Sequence, residues 1–343
     1  MTRNNQKESR RMKNRIVFYL VLMIVCSGMV LGQTNKKELK QRSITIGMIG
    51  KIATNPVFIA AYSGASVAAK ELGAKYKVDI FIDLQTPKVE DVREQAAAME
   101  NFARSGVSGI AIACSDANYL SPTIDEVSDK GIPVMCFDSD APKSKRFAYC
   151  GADDSEFGKM LMKEMAAELK GKGVIAVLAG NKNALNQQRR LQGLKDELKK
   201  YPKITLSADN IYHNLEIPDR AVEMVTRAQK TNPNIEGWIL LGSWPLLVKN
   251  SFKWNPGEVK VVAGNAVPAE LDYVMSGYVQ SLVGVNCFQM GYKTVESLLN
   301  KIINNTDPKI SRMFVPLTQI SKENVEEWSL NWKKWLLKEA VNR

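Results

Sequence analysis

Short apolar runs alternate with longer amphipathic stretches along the chain from residue 43 onward. Apolar runs of this length predict buried strands of a parallel sheet, and stretches with one apolar face at helical spacing predict the helices that cover it. In the first half, strands are predicted over 45–49, 78–83, 109–114, 133–138 and 147–151, with helices near 56–72, 89–105, 119–130 and 154–170. This order is typical of βαβ units.

The same alternation then starts again in the second half of the chain. Strands are predicted over 174–178, 204–210, 237–241 and 259–263, with helices near 186–199, 218–230 and 243–252. A further helix over 328–337 carries three tryptophans at helical spacing, which indicates a packed face. Two successive α/β sets without a long linker predict two doubly wound parallel-sheet lobes with a ligand cleft between them.

The first 42 residues differ from this pattern. A basic stretch ending at Arg15 precedes an uncharged run over 16–25, and smaller residues lead to Gly32. This order predicts a signal peptide over 1–32, a polar spacer over 33–42, and a periplasmic location. The uncharged segment reaches seventeen residues when it is counted to Gly32. A retained N-terminal membrane anchor therefore stays open as the alternative.

The net charge of +11 does not indicate nucleic-acid binding. Residues 1–32 hold six Lys or Arg and one Glu, and the remaining excess of basic residues is scattered along predicted helices. Nucleic-acid interfaces concentrate their basic residues in blocks or stripes, which this chain lacks. We therefore expect no nucleic-acid partner.

Catalytic and metal-binding motifs are missing from the sequence. His213 is the single histidine, and no G-x-S-x-G, phosphate-binding loop, G-x-G-x-x-G or zinc-ligand spacing occurs. We therefore expect neither an enzyme nor a bound metal or cofactor. The cysteines after residue 32 are Cys114, Cys136, Cys150 and Cys287. Buried free thiols are the expectation for them, and a disulfide among the first three stays open.

Candidate binding residues follow the predicted strands, because ligands of parallel sheets bind outside the carboxyl ends of strands. Polar, charged or aromatic side chains stand there: Lys51, Asn55, Phe58, Asp116, Asp138, Asp140, Asn183, Trp244 and Asn265. Amides and carboxylates pair with neighbouring hydroxyls, and aromatic faces cover the apolar side of a sugar ring. The pattern favours a neutral sugar over a glycosidase, for which Asp138 and Asp140 would be the carboxylate pair.

Six motifs carry a resemblance to a known family. They are IGMIGKIATNPVF (46–58), GIAIACSD (109–116), GIPVMCFDSDAP (131–142), YCGADDSEFG (149–158), NQQRRLQGL (186–194) and MGY (290–292). With these motifs the chain resembles the sugar-binding receptors of bacterial ABC importers, the ribose- and galactose-type (type I) periplasmic binding proteins. Their fold is shared with the effector domain of the lactose-repressor family. The resemblance covers residues 43–320.

The resemblance implies roles for individual residues. Phe58 would stack on the sugar, Asn55 would bind a hydroxyl, and Asp138 would grip adjacent hydroxyls with Asp140 beside it. The polar residue ahead of the R-L-Q-G helix would be Gln188 or Arg189, which adds both to the candidate site. Departures from the family pattern weaken an assignment to ribose: Ser139, Gly242-Ser243-Trp244, Asn265 and Val285 stand where sugar receptors carry other polar residues. Lys51 together with D-S-D also resembles receptors for autoinducer-2 and rhamnose.

The resemblance also implies three crossovers between the lobes, near 151–153, 284–286 and 308–313. The N-terminal lobe would comprise 43–152 plus 287–308, and the C-terminal lobe 153–286 plus 309–343. The expected protein is a monomeric solute-binding receptor that closes on a sugar or polyol and delivers it to an ABC-type membrane permease. The alternative is a sensory receptor acting on a sensor kinase or chemoreceptor. A repressor is not expected, because residues 1–42 carry no helix-turn-helix pattern.

Overall fold

A computed structural model describes residues 43–336, which form two β-sheets covered by helices. The predicted signal peptide over 1–32 and the spacer over 33–42 lie outside the described residues. The strands are β1 Ser43–Ile49, β2 Asp79–Leu84, β3 Gly109–Ile112, β4 Val134–Phe137, β5 Ala148–Gly151, β6 Lys172–Ala179, β7 Lys203–Thr205, β8 Ile211–His213, β9 Gly237–Leu240, β10 Lys260–Asn265, β11 Ser281–Val285, β12 Arg312–Phe314 and β13 Leu317–Ile320.

The helices lie between these strands in the order that a parallel sheet requires. They are α1 Pro56–Tyr76, α2 Val92–Ser105, α3 Ala117–Asp129, α4 Asp154–Glu168, α5 Leu185–Leu198, α6 Pro218–Thr231, α7 Pro268–Met275, α8 Cys287–Asn304 and α9 Val325–Trp335. Side-chain caps begin several of them. Asn55, for example, accepts from the Val57 N–H at 3.0 Å, and Pro56 occupies the first helical position, where its missing N–H costs nothing.

The first lobe contains a six-stranded sheet in the order β12-β5-β4-β3-β1-β2, with every neighbouring pair parallel. The second lobe contains β13-β11-β10-β9-β6-β7, in which β13 alone is antiparallel to its neighbour β11 among the described strands. Strands β3 and β4 of the first sheet and β9 and β11 of the second are buried along their whole length, as expected when helices cover both faces. The doubly wound α/β fold predicted from the sequence is confirmed.

Each lobe brings one pair of helices into backbone contact. In the first lobe, a Cβ added to Gly64 of α1 would lie 1.9 Å from the Phe288 carbonyl oxygen of α8, and a Cβ on Gly291 would lie 1.8 Å from the Ala61 oxygen. In the second lobe, α4 and α5 meet in the same way, because a Cβ on Gly158 would lie 1.9 Å from a carbonyl oxygen of α5. Glycine is therefore required at these crossings by the lack of space.

The chain passes between the two sheets at three places. It leaves the first sheet after β5, returns after β11 so that α8 packs on α1, and leaves again between β12 and β13. Residues 309–343 were expected in the second lobe, but β12 pairs with β5 in the first sheet, and the Val315 N–H still donates to Gly151 O at 2.9 Å. This strand completes the edge beside β5, so the last crossover falls at Pro316 and not at 308–313.

Two further predictions differ from the structure. The strand expected over 204–210 is divided into β7 and β8 by a 3₁₀ turn at Ala208–Asn210, and both short strands pair with β6. The helix expected over 243–252 is a single 3₁₀ turn, Trp244–Leu247. Its first three residues are all buried, so the segment lacks the one-sided polarity of a surface helix.

The cysteines agree with the expectation of buried free thiols. Cys114, Cys136, Cys150 and Cys287 are buried free thiols, and the sulfurs of Cys114 and Cys136 lie 3.8 Å apart without a disulfide bond.

In the last helix, α9, Trp328, Trp332 and Trp335 are buried. The indole N–H groups of the first two both donate to the Ala266 carbonyl oxygen at 2.7 Å, so α9 is packed on the second lobe.

Candidate functional site

The candidate site lies where the carboxyl ends of the two sheets face each other. Several polar contacts join the lobes there. Lys51 Nζ lies 3.9 Å from Glu216 Oε1, and Arg189 Nη1 lies 3.9 Å from Asp140 Oδ2. In the loops that precede α2 and α5, the Asn181 amide donates to Glu90 Oε1 at 3.3 Å. The structure therefore brings Lys51, Asp140 and Arg189 of the predicted site together across one cleft.

Asp138 occupies a strained turn at the end of β4. Its φ is 55°, in the left-handed region that non-glycine residues seldom adopt, and the Tyr149 hydroxyl donates to its carbonyl oxygen at 2.9 Å. The side chain is half-buried, and its carboxylate makes no hydrogen bond or ion pair with residues 43–336. The turn therefore presents a carboxylate whose lone pairs are available to a ligand.

Asp140 has a different environment although it is two residues away. It is 2% exposed and forms a two-pronged ion pair with Arg146, in which Nη2 donates to Oδ2 at 2.9 Å. Paired Arg and carboxylate groups of this kind are strongly oriented. Asp140 therefore holds its own loop and attracts Arg189 from the opposite lobe, and little of its carboxylate is left for a ligand.

The second lobe contributes a buried arginine that sequence reasoning did not select. Arg190 of α5 donates to Asp154 at 3.0 Å and to the Leu241 carbonyl at 2.9 Å, and its guanidinium lies 3.9 Å from the centre of the Phe157 ring. Burial raises the pKa of Asp154 to about 6, and the Arg190 charge opposes this shift. The nitrogen that donates to Leu241, Nη1, also lies 3.4 Å from Asn265 Oδ1 and orients that amide.

Asn265 stands at the end of β10 in a second left-handed turn. Its φ is 87°, and that of the following Ala266 is 52°. The Ala266 carbonyl oxygen accepts hydrogen bonds from the indole N–H groups of Trp328 and Trp332 in α9, which fix the turn. Asn265 thus faces the cleft from the second lobe as Asp138 does from the first.

Lys51 and Glu216 form a buried charged pair between the lobes. Burial alone would lower the pKa of Lys51, but nearby carboxylates, foremost Glu216, outweigh it and raise the pKa. Burial raises the pKa of Glu216 to about 7, against the opposing effect of the Lys51 charge. Lys51 Nζ also approaches Asn186 Oδ1 at 3.5 Å. Glu216 and Asn186 are site residues that the sequence analysis missed.

The two predicted aromatic residues are packed into their lobes. Phe58 is 7% exposed, meets Phe137 edge-on at 6.2 Å between ring centres, and closely covers Gly50. Trp244 is 5% exposed and packs against Gly180 and Gly242. Neither ring presents an open face, so their positions favour core packing over the sugar stacking that the resemblance implied for Phe58.

The remaining candidates make local contacts within their own loops and helix ends. Asn55 and Asp116 cap α1 and α3, and the Asp116 carboxylate accepts from two backbone N–H groups at 2.9 and 3.1 Å. Asn183 and Gln188 are exposed, and the Gln188 amide donates to the Lys182 carbonyl at 2.6 Å. The structure gives these four side chains local structural roles.

Replacement of Phe58 by Ala is expected to act mainly on folding. Removal of a buried phenylalanine side chain lowers the free energy of unfolding by roughly 3–5 kcal/mol, since a cavity replaces its contacts. Thermal melting of the ligand-free protein, compared with calorimetric titration of a bound sugar, would separate folding from binding. Weakened binding with unchanged melting would instead return Phe58 to the binding surface.

A buried acid of the second lobe accepts hydrogen bonds from the backbone of Ala266 and Val267, which follow Asn265. Glu270 is 0% exposed, and the Ser243 hydroxyl donates to its carboxyl group. Burial raises its pKa well above the ordinary value, although the Ser243 hydrogen bond opposes this. The native protein therefore retains the Glu270 proton over a pH range in which the unfolded chain has released it.

This difference predicts a pH-dependent loss of stability. Because the folded pKa is the higher one, the contribution of Glu270 is complete below its unfolded pKa and is lost as the pH rises through the folded value. From about pH 5 to about pH 8, wild type should therefore lose unfolding free energy relative to Glu270→Gln. Urea unfolding at several pH values measures this difference.

Glu323→Gln is the control for this prediction. Its hydrogen bond with Ser321 lowers the pKa of Glu323, so this acid contributes in the opposite direction. The control variant should gain nothing over wild type at the higher pH. Parallel pH profiles for wild type and Glu270→Gln would contradict the assignment of a buried neutral Glu270.

Comparisons with known proteins agree with this architecture. Residues 46–306 match the family model described as a periplasmic binding protein domain. The ribose import binding protein of Bacillus subtilis is 29% identical over 160 residues, which are 46% of this chain and 48% of that protein. The xylitol-binding protein of Mycolicibacterium smegmatis is 27% identical over 247 residues, 69% of this chain and 67% of that protein. The chain thus spans about half to two thirds of these relatives.

Solved structures show the same fold. An ABC transporter solute-binding protein from Burkholderia graminis, in complex with D-arabinose, has a TM-score of 0.75 at 24% identity. The match covers 82% of this chain and 96% of that protein's chain. One from Agrobacterium vitis, bound with α-D-tagatopyranose, has a TM-score of 0.75 at 20% identity, with coverage of 84% and 98%. In the part of the chain described here, every helix is too short or too polar to cross a membrane.

Proposed function

Because the chain belongs to the periplasmic binding protein family, we propose that it is an extracytoplasmic receptor that captures a small polyhydroxylated ligand by closure of its lobes. The ligand is a monosaccharide or a related polyol. The closed receptor delivers it to the membrane permease of an ABC importer and releases it chemically unchanged.

One observation carries this proposal: polar side chains from both lobes meet across the cleft. A ligand that contacts both sides only when the lobes close contributes its binding free energy to the closed state, and so shifts the equilibrium towards it. Asp138 from the first lobe and Asn265 from the second offer the hydrogen-bonding groups that adjacent hydroxyls require.

Most charges of the cleft are already paired, which favours a neutral ligand. Asp140 is paired with Arg146, Arg190 is paired with Asp154, and Lys51 faces Glu216. A charged ligand would compete with these pairs, whereas hydroxyl groups can be added to them without displacing a charge. The sugar and polyol names of the relatives support the same ligand class.

The extracytoplasmic location rests on the family and on the sequence pattern of residues 1–32. A basic stretch, an apolar run and a small-residue end are the order expected of an export signal. N-terminal sequencing of the protein recovered from its native cell envelope would test this part of the proposal.

A thermal-shift screen tests the ligand class. The panel contains D-ribose, D-arabinose, D-xylose, D-tagatose and xylitol, with glucose 6-phosphate and amino acids as charged controls. A ligand at about 100 times its Kd adds ~2.7 kcal/mol to the stability of the folded state, which gives a clear rise in Tm. Stabilisation by a charged control, with none by the sugars and polyols, would overturn the proposal.

A further inference from the structure

The carboxylate of Glu216 is enclosed, and one of its two oxygens makes no hydrogen bond within the described part of the chain. It lies between β8 and α6 of the second lobe, opposite Lys51 from the loop after β1 of the first lobe. The side chains are 7% and 3% exposed, and their nearest charged atoms are 3.9 Å apart. Glu216 Oε1 is buried and makes no hydrogen bond with any residue of 43–336.

The surrounding backbone prevents this carboxylate from moving away. A Cβ placed on Gly180 would lie 2.8 Å from Glu216 Oε1, so the oxygen rests directly against the end of β6. The Glu216 N–H donates to the Asn214 side chain at 2.6 Å, which fixes the backbone of this segment. On the Lys51 side, Asn186 Oδ1 accepts at 3.5 Å. Both charged groups are therefore held in place.

The distance between them suits a third atom. At 3.9 Å, Lys51 Nζ and Glu216 Oε1 are too far apart for a direct hydrogen bond. An oxygen at about 2.8 Å from each would see them at an angle of roughly 90°, which is an acceptable geometry for one donor and one acceptor on the same atom. A hydroxyl group provides this combination, because it accepts through its lone pairs and donates its proton.

We propose that Lys51 and Glu216 together bind one hydroxyl group of the ligand. Lys51 donates a hydrogen bond to the hydroxyl oxygen, and Glu216 Oε1 accepts a hydrogen bond from the hydroxyl O–H. The inference rests on the proposed function and specifies how the cleft selects within the sugar class. The subsite is complete only when the lobes are closed, since each lobe supplies one of its two groups.

This chemistry discriminates between related ligands. A ligand ammonium group at this position would be repelled by the Lys51 charge, and a ligand carboxylate would be repelled by the Glu216 charge. A deoxy sugar would leave both buried charges without their hydrogen-bond partner, and sites built for a hydroxyl reject such analogues strongly. The subsite therefore accepts a neutral sugar or polyol with a free hydroxyl and excludes its amino, acid and deoxy counterparts.

Calorimetric titration of two variants against matched sugars tests the subsite. Glu216→Gln keeps the shape but removes the charged acceptor, and Lys51→Met keeps the apolar stem but removes the donor. Each is titrated with the tightest-binding sugar among D-ribose, D-arabinose, D-xylose, D-tagatose and xylitol, and with the monodeoxy series of that sugar. Glu94→Gln, an exposed acid of α2 in the first lobe, is the control.

We expect both variants to bind the parent sugar roughly 10- to 100-fold more weakly than wild type, and the control to bind it normally. For one deoxy analogue, the one that lacks the bridging hydroxyl, wild type and variants should bind equally. Equal losses for every analogue would show that the pair acts only in lobe closure, and affinities within twofold of wild type would show no role; either result overturns the inference. If wild type binds none of the sugars, the proposed function itself fails.

Discussion

Replacement of Asp138 by Ala is expected to weaken binding of the preferred sugar by roughly 10- to 100-fold, because a hydrogen bond to a charged group contributes about 1.5–3 kcal/mol. The carboxylate makes no hydrogen bond or ion pair within residues 43–336, so its loss deprives the ligand of an acceptor and leaves no protein donor without its hydrogen bond. Calorimetric titration measures the effect.

The left-handed backbone at this position requires a second variant. Ala at a φ of 55° is strained, whereas Asn tolerates this conformation. Asp138→Asn should therefore melt like wild type and still lose most of the affinity. Asp116→Ala is the matched control at the same sheet edge: it loses a helix cap worth about 1 kcal/mol, and its affinity should not change. Normal binding by Asp138→Asn would remove Asp138 from the site.

Replacement of Gly64 by Ala is expected to cost about 3 kcal/mol or more of unfolding free energy, at the upper end of what overpacking causes. The added Cβ would lie 1.9 Å from a backbone carbonyl oxygen of α8, and a backbone atom cannot rotate away as a side chain can. The two helices must separate, which opens the core of the first lobe. Gly158→Ala should have the same effect on α4 and α5 in the second lobe.

Denaturant unfolding of the ligand-free protein checks both glycine variants. Lys70→Ala, an exposed position on α1, is the control and should stay within about 0.5 kcal/mol of wild type. If Gly64→Ala unfolds at the wild-type denaturant concentration, the helices have room to adjust, and the contact does not restrict this position.

The fold followed from the sequence because each central element has a strong local signal. The helix beginning at Pro56 has a cap, a proline and a one-sided apolar face, and the structure reproduces it to within one turn at its end. The failures occurred where local pattern and tertiary pairing disagree. β12 consists of only three residues and owes its place to pairing with β5, which no local pattern encodes.

The candidate site was less predictable for a similar reason. Arg190 shares a buried helical face with Gly193 and Leu194, a signal that was present in the sequence and would have selected it over the partly exposed Arg189. Glu216 offered no such signal. It lies in an irregular segment, and its role depends on Lys51, which is distant in sequence and belongs to the other lobe.

The three passages between the sheets also mean that neither lobe is one continuous segment of the chain. The first lobe needs α8 against α1 and β12 against β5, so its framework is incomplete without residues up to Phe314. The second lobe likewise needs β13 against β11 and α9 against the Asn265 turn. Each lobe is therefore assembled from segments that are far apart in the sequence, and neither lobe can complete its native packing from one continuous half of the chain.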